Sequence, residues 1–390
     1  MTGLDAAQRL QRVAERQGQF ITALHALGPW FGFALRYVYQ PPVQGEGRIR
    51  LFFIGRAFGE TEREAAAGLA SLREVIGRAF PAYYRLEERP PADGPWREAL
   101  GLDGIRSIAE VLKPEQVLQT WHDPAITGFS FYYFPVAFEP GNNSMVEFCQ
   151  ALANGGPDRV VVDLCLMPAF RLTPTERDEM TAWLRIADRW KSKQQVEMPG
   201  GLFSKASTVE LAPDPQADKV GKAYADLQSR YGGLDTPLFL YAIRCLWTNP
   251  QTPQHLLASL AAHALKPGSG SYLAPVPGAH AAFQKALNAA RLCYVTPAVC
   301  NEAIWRHPEA PETLRRLHRL ADVKEIAGFF RLPVPGRDGC PGIPLDAGFA
   351  QPVPPSATPS ERVPAIAIGA FIERGQVTAD PAEISLLELT

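Results

Sequence analysis

RIRLFFIGRAFGETEREAAAGLASL, Arg48–Leu72, reads as a strand that passes through a short polar turn into a helix. Arg48–Arg56 is crowded with aromatic and branched side chains, the composition of a pleated, buried surface. Thr61 and Glu62 then open a helix over Glu64–Ala79, with Ala67, Leu69, Leu72, Val75 and Ile76 turned inward. Thr61 is suited to cap that helix, and Glu60, Glu62 and Glu64 favour its positive end. Upstream, Phe31–Gln40 has the same strand character, and the turn-prone Pro41–Gly47 makes the two strands a hairpin. Before the hairpin, Leu10, Val13, Phe20, Ile21, Leu24 and Leu27 form one helical stripe within Leu4–Leu27, which Gly28-Pro29 ends. Tyr83–Leu86 is a candidate third strand.

Downstream the pattern restarts. Ile105–Trp121 predicts short helices, Phe129–Phe138 a strand and Met145–Leu152 a short helix. Arg159–Met167 predicts an apolar strand, followed by a helix over Thr175–Trp190. Ala57-Phe58 before Thr61-Glu62-Arg63 is echoed by Ala169-Phe170 before Thr175-Glu176-Arg177. Duplication of a strand–strand–helix unit accounts for the echo, and so does recurring helix-opening chemistry. Lys191–Pro215 predicts a long polar loop, Gln216–Tyr231 a helix ended by Gly232-Gly233, and Leu238–Trp247 a strand. Helices follow over Gln254–Leu265, Ala279–Tyr294 and Glu312–Phe330, with a Gly/Ser/Pro loop over Lys266–Pro277 and a helical stretch near Ala298–Trp305. The last helix would bury Leu314, Leu317, Leu320, Ile326 and Phe330. Gly336–Pro364 has the composition of an extended strap, and Val363–Ile372 and Glu383–Leu389 are candidate strands that need a sheet to join.

The fold class expected is α+β: strand–strand–helix units with mixed or antiparallel sheets packed on helices, then a helical region and a Pro-rich C-terminal strap. The segments are an N-terminal α+β unit over 1–100 and a second α+β unit over 101–235. A strand with a helical region follows over 236–332, then a linker with docking strands over 333–390. A chain of 390 residues exceeds one usual core, which fits several units. The 36 prolines are about twice the usual share of roughly 5% and crowd into connections.

A formal net charge of −2 supplies no global field for nucleic acid. No apolar run approaches the ~20 residues of a membrane span, and Met1–Leu10 lacks a signal-peptide core. The expectation is therefore a cytoplasmic chain, peripheral to the inner membrane only through partners. Cys149, Cys165, Cys245, Cys293, Cys300 and Cys340 show no CxxC pair and no zinc spacing; reduced, small-hydrophobe cysteines are expected.

No GxxxxGK[ST] phosphate loop is present; Gly221-Lys222-Ala223 lacks its upstream glycine and hydroxyl and falls inside a helix. Val160-Val161-Val162-Asp163 has the outline of a strand carrying a Mg²⁺ acid. Strand alternation instead sets Asp163 with Val161, Cys165 and Met167 on a partly polar face. His255 and His263, eight apart on one helix, stand about 80° around and about 12 Å along the axis, too far to share an ion. Gly268-Ser269-Gly270-Ser271 is linker rather than a nucleophile elbow. No catalytic, cofactor-binding or metal-binding residue is assigned. An enzyme built on the central unit would use Asp163 and Glu176 as its acids. Arg306, Arg315, Arg316, His318, Arg319, Lys324, Arg331 and Arg337 form a basic cluster. Arg315, Arg316, Arg319 and Arg331 are candidate contacts for nucleic acid or a partner, against the plainer reading of a solvated face.

ADVKEIAGFFRLPVPGRDGCPGIPLD, Ala321–Asp346, closes the helical region with Phe330, Pro333, Pro335, Pro341 and Pro344 spaced through it. This helix–LPxP–xPGIP order resembles the junction in HerA/FtsK-superfamily and conjugative type IV secretion ATPases, where an amino-terminal α+β region hands over to the motor. The strand pattern of Ala367–Ile372 and Ile384–Leu389 resembles what precedes the motor's phosphate loop. The resemblance implies a non-catalytic module of a hexamer-type ATPase, serving assembly and cargo engagement in conjugation, secretion or anti-phage defence. It implies ATP and Mg²⁺ on the partner motor rather than on this chain. It also implies homo-oligomerisation within a ring, DNA contact through the assembly, and no direct membrane insertion. The five residues from Phe330 to Pro344 would be a motor-docking strap.

Overall fold

The computed structural model describes residues 6–42, 48–81, 86–89, 102–121, 130–139, 145–198, 207–250, 256, 258–259, 262, 272–275, 280–295, 312–334, 340–343, 372–373, 376–377 and 386–389. The elements begin with α1 (Ala6–His25), β1 (Phe31–Gln40), β2 (Arg48–Ala57), α2 (Glu62–Ala79) and β3 (Leu86–Arg89). Next come β4 (Ser107–Leu112), β5 (Glu115–Gln119), β6 (Phe131–Pro135), α3 (Val146–Ala153), β7 (Val160–Pro168) and α4 (Pro174–Trp190). They continue with β8 (Gln194–Met198), β9 (Ser207–Leu211), α5 (Ala217–Tyr231), β10 (Leu238–Trp247), β11 (Tyr272–Pro275) and α6 (His280–Arg291). The last are α7 (Glu312–Leu317), β12 (Leu320–Asp322), α8 (Val323–Phe329), β13 (Ile372–Glu373), β14 (Gln376–Val377) and β15 (Leu386–Leu389).

One large sheet runs β11-β4-β10-β7-β1-β2-β15-β3, with β12 beside the start of β10, and its pairs are antiparallel. The α+β class is therefore realised. Strands from all four sequence segments share this sheet, so the units are joined through it.

Both faces of the sheet are covered, which is why its central strands read as almost unbroken apolar runs. Phe33, Leu35, Tyr37 and Tyr39 of β1 join Val160, Val162, Leu164 and Leu166 of β7 on one face. Leu24 of α1, Leu72 and Ile76 of α2, Phe148 of α3 and Ile326 and Phe329 of α8 cover them. Ala34 and Val38 share the other face with Val161, Cys165 and Met167, beneath Val220 and Leu227 of α5, Ala286 and Ala290 of α6 and Leu314 of α7. Each buried Leu, Ile or Phe in these layers contributes about 1.5–3 kcal/mol. Two glycines admit the layers at close range. A Cβ on Gly55 would stand 2.6 Å from Leu72, and one on Gly32 would stand 2.4 Å from the Cys293 carbonyl oxygen just beyond α6.

Several expectations are corrected. Ile105–Trp121 forms strands, not short helices, because Ile108 and Leu112 alternate with Ala109 and Val111 between the two faces. Pro114 keeps Lys113 out of helical geometry. Lys191–Pro215 contains the antiparallel β8–β9 hairpin, and Lys266–Pro277 contains β11, paired with β4. The helix expected from Thr175 begins one residue earlier, at Pro174, and Thr173 caps it in a capping box with Glu176. Glu312–Phe330 is not one helix: Leu320–Asp322 pairs with Leu238–Leu240, and Asp322 caps a new helix reciprocally with Glu325. The echoed strand–strand–helix unit differs in its pairing, since β6 pairs with β5 while β7 pairs with β1 and β10. The strand expected in Glu383–Leu389 is β15, seated between β2 and β3. Tyr83–Tyr84, most of Gln254–Leu265, Ala298–Trp305, and Val363–Phe371 lie outside the described residues.

A buried charge ladder and the candidate partner surface

Four strands each carry one ionic side chain amid apolar neighbours: Arg36 in β1, Asp163 in β7, Arg244 in β10 and Glu110 in β4. The strand registers align them, Arg36 opposite Asp163, Asp163 opposite Arg244, and Arg244 opposite Glu110. Arg36 donates to Asp163 Oδ1 from Nε at 3.0 Å and from Nη2 at 2.8 Å. Arg244 donates to Asp163 Oδ2 at 3.3 Å and to Glu110 Oε1 at 3.1 Å. Signs alternate across the sheet, as burial of charge demands.

Three arginines also donate to the end of α6. Arg36 Nη2 donates to the Ala290 carbonyl at 2.7 Å, Arg56 Nη1 to Leu292 at 2.8 Å, and Arg244 Nη2 to Tyr294 at 2.9 Å. A helix C-terminus leaves carbonyls without intrahelical partners and carries partial negative charge. Arg36, Arg56 and Arg244 outnumber Asp163 and Glu110 by one positive charge, and the end of α6 receives it. Burial pushes the pKa of Arg56 down to about 10, still a cation at neutral pH. Burial also works against Arg244, yet the Glu110 carboxylate beside it holds its pKa above the ordinary value. Asp163 has both oxygens bound and is wholly buried, so it is an internal counter-ion with no face toward a substrate or metal.

A second buried centre lies beyond the end of β4. Lys113 Nζ stands 2.7 Å from Glu325 Oε1 and donates to the Tyr231 hydroxyl at 2.6 Å. It also donates to the Leu320 carbonyl, while Tyr231 donates to Glu325. The ammonium lies 4.9 Å from the Tyr231 ring centroid and 5.7 Å from those of Phe138 and Tyr241, an aromatic cage. Glu325 accepts in addition from the backbone of Phe138 at 2.8 Å and of Asp322 at 3.0 Å. Burial lowers the Lys113 pKa against the pull of Glu325. It raises that of Tyr231, which therefore stays a donor. His318 is pushed down to about 4 by burial, with Lys113 adding to the effect.

The centre fastens one end of the junction stretch, since Glu325 belongs to α8. Further along, the Tyr37 hydroxyl donates to the Arg331 carbonyl at 2.7 Å and Gln17 Nε2 to the Leu332 carbonyl at 3.2 Å. The Ile49 amide donates to the Gly342 carbonyl at 2.6 Å. Phe330 is buried edge-on against Phe53, and Pro333 is buried as well. These two strap residues are thus covered by their own chain. Pro341 is half-buried, while Pro335 and Pro344 lie outside the described residues.

Among the described residues the basic cluster does not form one open stripe. Arg316 grips both Glu176 oxygens, at 2.7 and 2.5 Å, and the Phe170 carbonyl at 2.7 Å, tying α7 to the start of α4. Burial works against the Glu176 carboxylate, but Arg316 and Thr173 hold its pKa below the ordinary value. Arg315 approaches Glu312 at 3.9 Å, and Arg315, Arg319 and Arg331 are half-buried. Arg306 and Arg337 lie outside the described residues, as do His255, His263 and Gly268–Ser271. Gly221 and Lys222 sit within α5, where Lys222 pairs with Asp218 on the surface.

One end of the sheet presents what sequence reading missed. Trp30, Phe170 and Leu234 are 59%, 69% and 62% exposed. Trp30 directly precedes β1, Phe170 follows β7, and Leu234 leads into β10, three neighbouring strands. The Ala169 amide donates to the Leu238 carbonyl, joining the end of β7 to the start of β10, and the Phe58 amide donates to the Trp30 carbonyl, joining the end of β2 to the start of β1. Arg171 and Asp235 stand 4.0 Å apart between them. The three exposed apolar side chains thus lie at the same end of three adjacent strands. Their local signal was present, a large apolar residue immediately outside each strand, but only the strand order brings them together.

Among the described residues there is no helix long and apolar enough to cross a membrane and no cluster of metal-ligating side chains. No family model, curated protein or solved structure matches the chain, so the resemblance at the junction rests on its own residues.

Proposed function

We propose that this chain is a non-catalytic module of a HerA/FtsK-like hexameric ATPase, mediating assembly and cargo engagement in DNA translocation, conjugation, secretion or anti-phage defence. The observation that carries the reading is the double fastening of the junction. Glu325 locks its helix to Lys113, and Gly342 is bonded to Ile49 at the start of β2. A stretch that resembles the hand-over to a motor is thereby mounted on the central sheet, where a load on one reaches the other. The Trp30, Phe170 and Leu234 rim supports contact with a motor subunit or a neighbouring copy. In this reading ATP and Mg²⁺ belong to the partner. The engagement of Asp163 and Glu176 within the chain argues against an acid-based hydrolase, and that of Arg316 weakens direct phosphate binding.

The test combines two measurements on the purified chain. ATP turnover should stay at the buffer background, and the chain should co-migrate with a phosphate-loop ATPase encoded beside it. Turnover that persists through repurification would overturn the proposal, as would failure to associate with that ATPase.

A further inference from the structure

Two distant stretches of the chain come back to the same strand. The Gly342 carbonyl accepts from the Ile49 amide at the start of β2. Leu386–Leu389 then returns as β15, antiparallel to Leu51–Ile54 of that same β2. Residues 344–385, 42 in all, join these two attachments. Ile49 and Ile54 are five residues apart on one strand, which is about 17 Å. Fully extended, a connection of that length reaches about 140 Å. It is far longer than its span requires.

β15 lies inside the sheet rather than at its margin. Its second neighbour is β3, where Leu86 stands opposite Leu389 and Arg89 opposite Leu386. Among the described residues β3 pairs with β15 alone, so this four-residue strand is what joins β3 to β2. The slot is therefore specified on both sides by backbone register. What the connection leaves open is which copy of the chain fills it. The advantage of the strand already tethered to the slot falls as the tether lengthens. A neighbouring copy carries the same four residues, fits the same register and has the reach to deliver them. Exchange of an identical element is a low-cost route to assembly, because no new complementarity has to be built.

We propose that β15 is an exchange strand: in the assembled protein Leu386–Leu389 of one copy seats between β2 and β3 of a second copy and completes its sheet. The partner recognised by the slot is this chain itself. The inference needs no ATPase, and within a ring it would tie neighbouring copies together through backbone hydrogen bonds.

The full chain carrying both Glu87→Cys and Glu388→Cys, positions opposite each other in the register, is prepared unlabelled and labelled with a heavy nitrogen isotope. Equal amounts are mixed in denaturant, refolded together, cross-linked with a short bismaleimide and peptide-mapped by mass spectrometry. Exchange predicts cross-linked pairs that unite a labelled with an unlabelled peptide, in the statistical proportion. Pairs of a single isotope only would show each copy filling its own slot and overturn the proposal. Absence of any cross-link between the two positions overturns it as well, since β15 then lies outside the slot. Wild type should sediment as an oligomer, and Leu387→Pro, which removes a ladder donor within β15, should shift it to monomer. A monomeric wild type at every concentration, or a folded Leu387→Pro that keeps the oligomer, sinks the exchange; if that variant does not fold, the isotope pattern decides. Failure to bind an ATPase would leave all these readings unchanged, so the two proposals fail separately.

Discussion

Arg36 and Asp163 meet in register on adjacent strands, 127 residues apart in sequence, 2.8 Å apart in space and closed to solvent. The contact is half of a shared arrangement, because Arg244 holds the other Asp163 oxygen. Asp163→Ala would leave both guanidinium groups without that counter-ion in the interior. A buried pair broken on one side costs about 3–5 kcal/mol. The denaturant midpoint should fall accordingly with its slope unchanged. A loss below about 1 kcal/mol, the level of an exposed pair, would show that water reaches the ladder.

The His318 imidazole sets a pH dependence. Its pKa is about 4 in the folded chain against 6.5 for the free side chain. Below pH 6.5 the unfolded chain takes up a proton that the folded chain refuses until about pH 4. Its contribution is thus fully present above the unfolded pKa and falls as pH drops through that window, by about 3 kcal/mol in all. Unfolding free energies of wild type and His318→Gln, compared at neutral and mildly acid pH, isolate this contribution. Parallel curves for the two proteins would contradict it.

Two glycines should answer alanine in opposite directions. At Gly32 the new methyl group would meet the Cys293 carbonyl oxygen at 2.4 Å, a backbone atom that cannot swing aside. Relief requires the end of α6 to retreat, loosening the carbonyls that Arg36 and Arg56 hold. Gly32→Ala should cost about 1–3 kcal/mol, the usual range for overpacking. At Gly77, within α2, nothing lies within 4 Å of the added carbon. Gly77→Ala should stabilise by about 0.5–1 kcal/mol through helix propensity. Thermal melts of the two variants on either side of wild type would bear this out, and the same sign for both would refute it.

These sites also mark where sequence reading stops. β1, β2, β7 and β10 are long apolar runs bounded by turns, so their strand character is local and legible. β4 is shorter and carries Glu110, with Lys113 just beyond it. The charges there obscured the alternation, and only pairing with Arg244 makes Glu110 tolerable inside a sheet. Alternation placed Asp163 on a partly polar face, but its partners come from strands 127 and 81 residues away. Registers of that range leave no trace in a local window. In Glu312–Phe330 the apolar period persisted across a real break, because Leu320 is buried whether it belongs to helix or strand. The Asp322–Glu325 capping box was the readable sign of the new start. That Glu383–Leu389 needed a sheet was legible, but the slot between β2 and β3 was not.

The rim at the end of the sheet yields the sharpest test of the partner reading. Phe170 and Leu234 are largely exposed, so replacing them removes little packing within the chain. Surface changes of this kind usually stay within about 0.5 kcal/mol of wild-type stability. Apolar anchors at the centre of an interface cost about 2 kcal/mol or more when lost, beyond tenfold in affinity. Phe170→Glu and Leu234→Glu should therefore leave the melting transition in place while weakening association with the proposed ATPase partner at least tenfold. Sedimentation of the mixed proteins reads both quantities on the same material. Val209 on the β8–β9 hairpin, also exposed but on another element, supplies the control, and Val209→Glu should bind as wild type does. Equal binding by all three variants would remove the rim from the interface, and equal loss by all three would reveal a general effect of added charge.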